Sequence, residues 1–522
     1  MITRAEFREA CEKALNMMEA AGIYLAVICI FTIMQKLIRK AMPGILIIVL
    51  AFGCKQQNSQ KTLLEKPNIL IMIADDMGYA DLGCYGGASN TPNLDQLARS
   101  GILFTDFYAA APNCSPSRSG LLTGRAPSRT GIYNYRPPNH PMHLRDEEIT
   151  IAEVLKDAGY QTSHFGKWHL GALPYDSILQ HPQPSEQGFD YSFGTENNVV
   201  PSHLNPVNFV RNGVRLDTLK GYSCQIVADE AISWLTDLYD RSDPFFMYVA
   251  FHEPHAKVAS PPELVEKYKE YPPFDAEYLA NIENLDSAAG RIIRYLEINK
   301  YLENTLVLFC SDNGSYRQAS NGNLRAVKSY LYEGGIRVPG IVHWPELIKH
   351  GKVINQPAGF VDVMPTICDI LGIDPLNDRA IDGTSILGLF KGEDFTRENP
   401  LFWFFYRTSP EIALRIDNLM ILGKDMDTVP RTHRFSEPDM IYIKNMQLQE
   451  YELYNLKGDI YQDYNMIESH PDAGTFIKLL DDKLMEIQEE GYSWKELPAA
   501  SGRKRIKTDW VKYSRRSVQL NQ

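Results

Sequence analysis

Three kinds of side chain in this sequence could do chemistry together. The first is a thiol: Cys114 opens the run Cys114-Ser-Pro-Ser-Arg118-Ser-Gly-Leu-Leu-Thr-Gly-Arg125, and the residues after Pro116 are compatible with a helix ending near Gly124. At a helix entrance, unpaired N–H groups and the helix dipole favour an anion. The second is a set of hard oxygen ligands, Asp75, Asp76, Asp312 and Asn313, with no Cys or His among them. Such a set suits Ca²⁺ or Mg²⁺ rather than Zn²⁺. The adjacent carboxylates of Asp75 and Asp76 would repel unless a cation bridged them. The third is a group of cationic or donor side chains, Arg118, Lys167, His169, His255 and Lys328. Between a metal and these donors a tetrahedral monoanion could be held and its charge balanced. Taken singly, each residue has a plainer reading as a buried thiol, a turn or cap residue, or a satisfied core histidine.

The elements that must position them alternate. Continuous apolar runs at 68–74 and 245–251 mark strands buried on both faces, and further strands are expected at 102–111, 161–165, 306–310 and 340–344. Between them, Thr91-Pro92 opens a helix that Gly101 closes, and Thr150-Ile-Ala-Glu153 is a capping box. Helices are also expected over 228–239, 277–300 and 362–371. This alternation predicts an α/β fold, a large mainly parallel sheet flanked by helices on both faces. Ligands of such sheets bind beyond the carboxyl ends of the strands. Asp75 and Asp76, Cys114, Lys167 and His169, His255, and Asp312 and Asn313 each follow a predicted strand, so they should converge on one edge. From near Asn399 the pattern changes to aromatic-rich strands over 402–406 and 413–422 and a helix over 472–489, with Phe476, Leu479, Leu480, Leu484 and Ile487 on one face. This predicts a smaller C-terminal α+β subdomain containing an antiparallel sheet.

The 522 residues suffice for a large core, and the formal net charge of -12 argues against non-specific nucleic-acid binding. Eight cysteines at irregular spacing form neither a disulfide framework nor a CxxC metal pair; Cys310 and Cys368 read as buried and inert. Residues 1–54 read as a leader. From Met34 a basic segment, an apolar run over 45–52 and Gly53-Cys54 resemble a bacterial lipoprotein signal with Cys54 lipidated, residues 1–33 lying upstream of the natural start. The predicted organisation is then a tether over 55–66, a catalytic α/β domain over 67–395, the C-terminal subdomain over 396–500 and a basic tail over 501–522. An exported, periplasmic or cell-surface lipoprotein of a bacterium is the expected form.

The run at Cys114 resembles the signature of the type I sulfatases, Cys-x-Pro-x-Arg followed by x-x-x-Leu-Thr-Gly-Arg, with every fixed position present. Leu324-Arg-Ala-Val-Lys328 through Glu-Gly-Gly335 and Tyr451-Glu-Leu-Tyr-Asn-Leu456 resemble two further stretches of that family, which belongs to the alkaline phosphatase superfamily. The segment from 320 to 337 is similar to the branch that includes arylsulfatase A and N-acetylgalactosamine-6-sulfatase. The resemblance implies Cα-formylglycine formed from Cys114 by a maturation enzyme, a gem-diol nucleophile and Ca²⁺ held by Asp75, Asp76, Asp312 and Asn313. It further implies that Arg118 and Lys167 hold the diol, that His255 and Lys328 donate to the leaving oxygen, and that His169 takes the proton of the second hydroxyl. The implied substrate is a sulfated carbohydrate with galactose or N-acetylgalactosamine units. The polar, turn-rich stretches 196–203 and 431–437, with Asn197, His203 and His433, are candidates for contacting the sugar, and His252, in His252-Glu-Pro-His255, either faces the leaving group or packs. Two alternatives compete: a phosphodiester or phosphonate ester hydrolase of the same superfamily, and a non-catalytic glycan-binding lipoprotein.

Overall fold

The computed structural model describes residues 66–174, 181–374, 376–406, 411–425, 429–430, 435–495, 497 and 505–506. All lie in the second of two compact units, residues 65–522. The leader with Cys54, the basic tail apart from its short strand, and His433 lie outside the described residues. Among the described residues no helix is long and apolar enough to cross a membrane.

Ten strands form the main sheet: β1 (Asn68–Ala74), β2 (Ile102–Phe104), β4 (Gln161–Lys167), β5 (Tyr191–Thr195), β6 (Val210–Arg211), β7 (Val214–Arg215), β8 (Phe245–Ala250), β9 (Thr305–Ser311), β10 (Gly340–His343) and β11 (Lys352–Ile354). Their spatial order is β11-β2-β10-β9-β1-β8-β4-β5-β6-β7, and β3 (Phe107–Tyr108) pairs separately with β12 (Ala358–Gly359). The centre is parallel, β9, β1, β8, β4 and β5 running together, while β10 is antiparallel to both β9 and β2. Along β1, Ile69, Ile71 and Ile73 pack into one core and Leu70, Met72 and Ala74 into the other. A strand with both faces buried must be apolar throughout, which is why β1 and β8 read as unbroken hydrophobic runs.

The register decides where the chemistry sits. Gly166 lies opposite Ala250, Ala250 opposite Ile73, and Ile73 opposite Cys310, one row across β4, β8, β1 and β9. Parallel strands leave the sheet in step, so Lys167, His252, Asp75 and Asp312 emerge one or two residues beyond that row. Backbone bonds extend the ladder past the strand ends: Asp75 N–H donates to Glu253 O at 3.0 Å and Asp312 N–H to Ala74 O at 3.0 Å.

Several expected boundaries differ. The single strand expected over 102–111 is two strands in different sheets. Between them Asp106 pairs with Arg337 at 2.6 Å and Arg415 at 2.5 Å, turning the chain from one sheet to the other. The strand expected over 413–422 is a hairpin, Glu411–Ile416 and Leu419–Lys424, turning at Asp417 with φ 51°. The helix expected from 228 begins at Ser223, because Glu253 Oε1 accepts the Cys224 N–H at 2.9 Å as a cap supplied from β8's end. The helix expected from 277 begins at Pro273, a proline at its first position. Thr91 precedes its helix without capping it; its hydroxyl instead accepts the Gly83 N–H. The capping box at Thr150 and Glu153 forms.

A separate antiparallel sheet, Leu401–Phe405, Glu411–Ile416, Leu419–Lys424 and Glu450–Asn455, packs with the helix Ala473–Glu490. On that helix Leu480, Leu484 and Ile487 are buried, whereas Leu479 is 41% exposed and does not join the apolar face.

Gly166 holds φ at 95°, and a Cβ there would stand 1.9 Å from Ala250 O. Gly166→Ala meets both the steric and the conformational penalty immediately before Lys167. It should destabilise by at least about 3 kcal/mol, seen as a shifted denaturant midpoint at unchanged slope.

Candidate active site

Cys114 is the first residue of the helix Cys114–Thr123, every residue of which is buried. Asn113 caps it, its Oδ1 accepting the Cys114 N–H at 3.0 Å, and Gly124 ends it with φ 67°. The cap fixes the thiol over the carboxyl edge of the sheet. Cys114 Sγ lies 3.4 Å from Asp75 Oδ1, 3.8 Å from Asp76 Oδ1 and 3.2 Å from Lys328 Nζ. One helical turn on, the Arg118 guanidinium donates to Asp312 Oδ2 through Nε at 3.0 Å and Nη2 at 2.8 Å, and to Lys167 O at 3.0 Å. Lys167 Nζ bonds Asp75 Oδ2 at 2.7 Å, and Lys328 Nζ bonds Asp76 Oδ1. Ten residues singled out by type and spacing thus fall at one place, save that His169 and His255 are held at its margin.

His169 carries φ 60° two residues past β4. Its Nε2 donates to Arg136 O at 2.9 Å, so the hydrogen sits there and Nδ1, buried with no partner, keeps its lone pair. Burial, reinforced by Lys167 and Arg118, holds its pKa well below the usual value and leaves the ring neutral. His255 Nε2 lies 3.5 Å from Asp76 Oδ2, with its side chain partly open to solvent.

The electrostatics are those of three carboxylates sharing a dry space. Burial pushes the Asp75 carboxyl up, but Lys167, His255, Arg118 and Lys328 outweigh it and hold it well below the carboxylate range. Asp312 goes the other way: burial and the neighbouring Asp75 lift it to about 7 in spite of Arg118. Burial opposes the charge on Lys328, yet Asp76 and the other acids keep its ammonium above the ordinary value. Burial, with Asp312, pushes the Cys114 thiol up, so the sulfur stays protonated and is a poor nucleophile as it stands.

The sugar-contacting candidates are placed differently. His252 is fully buried, bonded through Nε2 to Thr195 Oγ1 at 2.8 Å and edge-on to Phe209, so it packs under the site. His203 is buried against Asn281 at 3.2 Å, 3.9 Å from Glu253, closed off from any substrate. Asn197 is partly exposed with Oδ1 unpartnered. Sequence reasoning placed Asn198 only within the sugar-contact stretch 196–203, whereas its Oδ1 accepts from Lys167 Nζ at 3.1 Å, and it missed Arg136, whose N–H donates to Ser115 Oγ at 2.9 Å while its carbonyl orients His169. Asn113 was open to discovery, since Asn before a helix is a favoured cap. The other two carry no local signal.

The sulfatase family model matches residues 67–373, and that of the N-sulphoglucosamine sulphohydrolase C-terminal region matches residues 326–490. The chain belongs to the sulfatase family. It is 34% identical over 375 residues to N-acetylgalactosamine-6-sulfatase from Canis lupus familiaris, covering 65% of this chain and 69% of that protein. It is 33% identical over 465 residues to arylsulfatase A from Homo sapiens, covering 81% and 87%. The crystal structure of Ps i-CgsB in complex with k-i-k-neocarrahexaose superposes with a TM-score of 0.70 at 26% identity, over 82% of this chain and 95% of that one. This sulfatase is therefore a sulfuric ester hydrolase with the fold of the alkaline phosphatase superfamily.

The buried acidic cluster of the sulfatase could hold a divalent cation. Ligand atoms of Asp75, Asp76, Asp312 and Cys114 all lie within 4.8 Å of one another. Asn313 donates through Nδ2 to Asp76 Oδ1 at 2.8 Å and leaves Oδ1 buried with no partner, an acceptor placed for a cation. Asp76 holds φ 67°, a conformation costing a non-glycine residue about 1–3 kcal/mol, and its N–H donates to Asp312 Oδ1 at 3.0 Å. Burial and, after it, repulsion from Asp75 lift Asp312, and a cation would relieve the repulsion. Removing divalent ions with a chelator should lower the Tm, and added Ca²⁺ should restore it. At a hundredfold excess over Kd, binding adds about 2.7 kcal/mol. In the Asp76→Asn, Asp312→Asn double variant the Tm should no longer respond to Ca²⁺; an equal response in variant and wild type would remove these residues from the metal site.

Proposed function

We propose that this sulfatase hydrolyses sulfate esters of carbohydrates, with galactose or N-acetylgalactosamine units as the favoured sugars, using Cα-formylglycine made from Cys114. The observation that carries the reading is the position of Cys114. Its Sγ stands between the carboxylates of Asp75 and Asp76 and the ammonium of Lys328, inside the sulfatase signature helix. Similarity to N-acetylgalactosamine-6-sulfatase supports a sulfated sugar, and similarity to a carrahexaose-bound structure supports a carbohydrate.

Converted to formylglycine, residue 114 supplies a hydrated aldehyde as the nucleophile. A divalent cation held by Asp75, Asp76, Asp312 and Asn313 supplies positive charge against the ester oxygens when bound. The chain's own residues do the rest. Arg118, clamped on Asp312 and on the Lys167 carbonyl, fixes the metal-side carboxylate, and Lys167 holds Asp75. Breaking the S–O bond leaves an alkoxide that needs a proton; Lys328 and His255, on the Asp76 side, are the donors. His169, neutral with a free Nδ1, would accept at that atom a proton from a hydroxyl of the hydrated residue 114. Burial of Asp75, Asp76, Asp312, Arg118, Lys167 and His169 keeps water from the inner part of the cluster, which strengthens these charge interactions.

The same reading takes a formylglycine-generating enzyme as a partner and an exported, lipid-anchored form through Cys54. Mass spectrometry of the Cys114 peptide from the mature protein should show the aldehyde or its hydrate in place of the thiol. Cys114→Ala should abolish turnover, a loss of at least about 10³-fold in kcat, with the Tm within a few degrees of wild type. Rates within about tenfold of wild type would remove the formylglycine reading.

Sulfate release from a panel of mono- and disaccharides, each sulfated at one position, tests the sugar. Galacto-configured substrates should lead in kcat/KM, because polar groups left unpaired by the wrong sugar penalise it strongly. A lead for glucosamine N- or 6-sulfate would favour instead the chemistry named in the C-terminal family match.

A further inference from the structure

Lys328 is the site's least locally supported residue. It projects from the loop that leads from Gly322 to the short helix Glu333–Ile336, not from the end of a main-sheet strand. Two neighbours hold non-glycine left-handed backbone, Ala326 at φ 63° and Ser329 at φ 75°. Such residues persist only where the surroundings over-determine them. On the site side, Lys328 N–H donates to Ser315 O at 3.0 Å and Ser329 N–H to Pro112 O at 2.8 Å, tying the loop to the segments that carry Asn313 and Cys114. The loop closes on itself through Gly334 N–H to Arg325 O at 2.8 Å. A Cβ on Gly334 would meet Ala326 O at 2.2 Å.

The other side of the loop is held by the C-terminal sheet and the turn after it. Arg325 stacks 4.0 Å over the Tyr332 ring and donates to Tyr454 Oη at 2.6 Å, Gln462 O at 2.9 Å and Tyr332 Oη at 3.1 Å. Glu452 accepts from Tyr332 Oη at 2.8 Å and Tyr454 Oη at 3.0 Å, and pairs with Lys424 at 2.7 Å. Leu331 N–H donates to Glu411 Oε2 and Glu333 N–H to Gln462 Oε1, both at 2.9 Å. Glu411, Lys424, Glu452 and Tyr454 all lie on that antiparallel sheet.

We propose that the C-terminal sheet, through the Arg325–Glu452–Tyr454 cluster, is the device that positions Lys328 for its task at the leaving oxygen. Glu452, Tyr454 and Arg325 are positioning residues; they act on the reaction only through the lysine. The inference rests on the reading above that Lys328 protonates or stabilises the departing alcohol. A donor to the leaving group matters most when that group is a poor one, such as a sugar alkoxide, and least for 4-nitrophenolate. A defect confined to Lys328 therefore has a signature that general loosening of the fold lacks.

The test uses the matured full chain and its Glu452→Gln, Tyr454→Phe, Lys328→Ala and Lys328→Ala/Glu452→Gln variants. For each, kcat and KM are measured on 4-nitrophenyl sulfate and on the best sugar sulfate, with Tm recorded alongside. Glu452→Gln should lower kcat on the sugar sulfate about tenfold and on 4-nitrophenyl sulfate less than about twofold, with KM little changed. Tyr454→Phe, which deletes one hydroxyl, should show the same selectivity at about threefold. Lys328→Ala should show it more strongly, and adding Glu452→Gln to it should cost nothing further on the sugar. If Lys328→Ala slows both substrates equally, the leaving-group role of Lys328 is wrong and this inference falls with it. If Lys328→Ala is selective but Glu452→Gln slows both substrates equally, slows neither, or adds to the loss in the double variant, the positioning role alone is overturned.

Discussion

Three carboxylates crowded into a buried space are unstable unless positive charge is brought among them, and much of this molecule is arranged around that constraint. Asp75, Asp76 and Asp312 are all fully buried. Each is met by a cation from another part of the chain: Lys167, Lys328 and Arg118 respectively. Removing one member of such a buried pair costs about 3–5 kcal/mol because the survivor is left uncompensated. The acids are therefore held as a set, and the set is worth holding only if it binds something cationic and, beside that, something anionic.

The parallel sheet meets this demand cheaply. Strands in register deliver consecutive strand-end residues to one line, so Asp75 and Asp312 arrive side by side with no special loop. The cations come from elements of three kinds: a strand terminus for Lys167, the second turn of a capped helix for Arg118, and an external loop for Lys328. The last is the expensive one, with left-handed residues and glycines pressed against backbone, and it is braced by the second sheet. The C-terminal region thus has a physical reason to stay with the catalytic fold beyond any contact it makes with sugar.

Legibility of the site followed from distance along the chain. Asp75, Asp76 and Asp312 could be found because a buried strand announces itself as an apolar run, and the polar residue that breaks the run marks the strand's end; Lys167 follows the mostly polar strand at Gln161 and was singled out as a cation just beyond it. Lys328 follows no strand of that sheet and was reached through its motif. Arg118 was singled out, but its partner Asp312, 194 residues away, was not assigned to it. Arg136 was missed altogether, and Asn198 lay in a candidate sugar-contact stretch without being assigned to Lys167. His203 looked like a sugar contact because it sits in a polar turn-rich stretch, and His252, in His-x-Pro-His, could face the leaving group or pack; in the fold both face inward, bonded to Asn281 and Thr195. A histidine after a strand can point into the cleft or under it, and the difference is one of backbone path that side-chain type does not express.

What the amino-acid order determined by itself was local and periodic: which stretches become strands, that the central ones must be buried on both faces, where capping residues start helices, and which residues wait at the strand ends. These depend on interactions within a few residues. Tertiary structure alone decided where the 102–111 run breaks, since Asp106 turns there to meet Arg337 and Arg415, and where the helix at Ser223 begins, since Glu253 caps it from β8's end. It alone decided which cation neutralises which acid and what braces the Lys328 loop. Each of those outcomes is a contact between segments far apart in the chain, and its energy exists only once the sheet has brought them together.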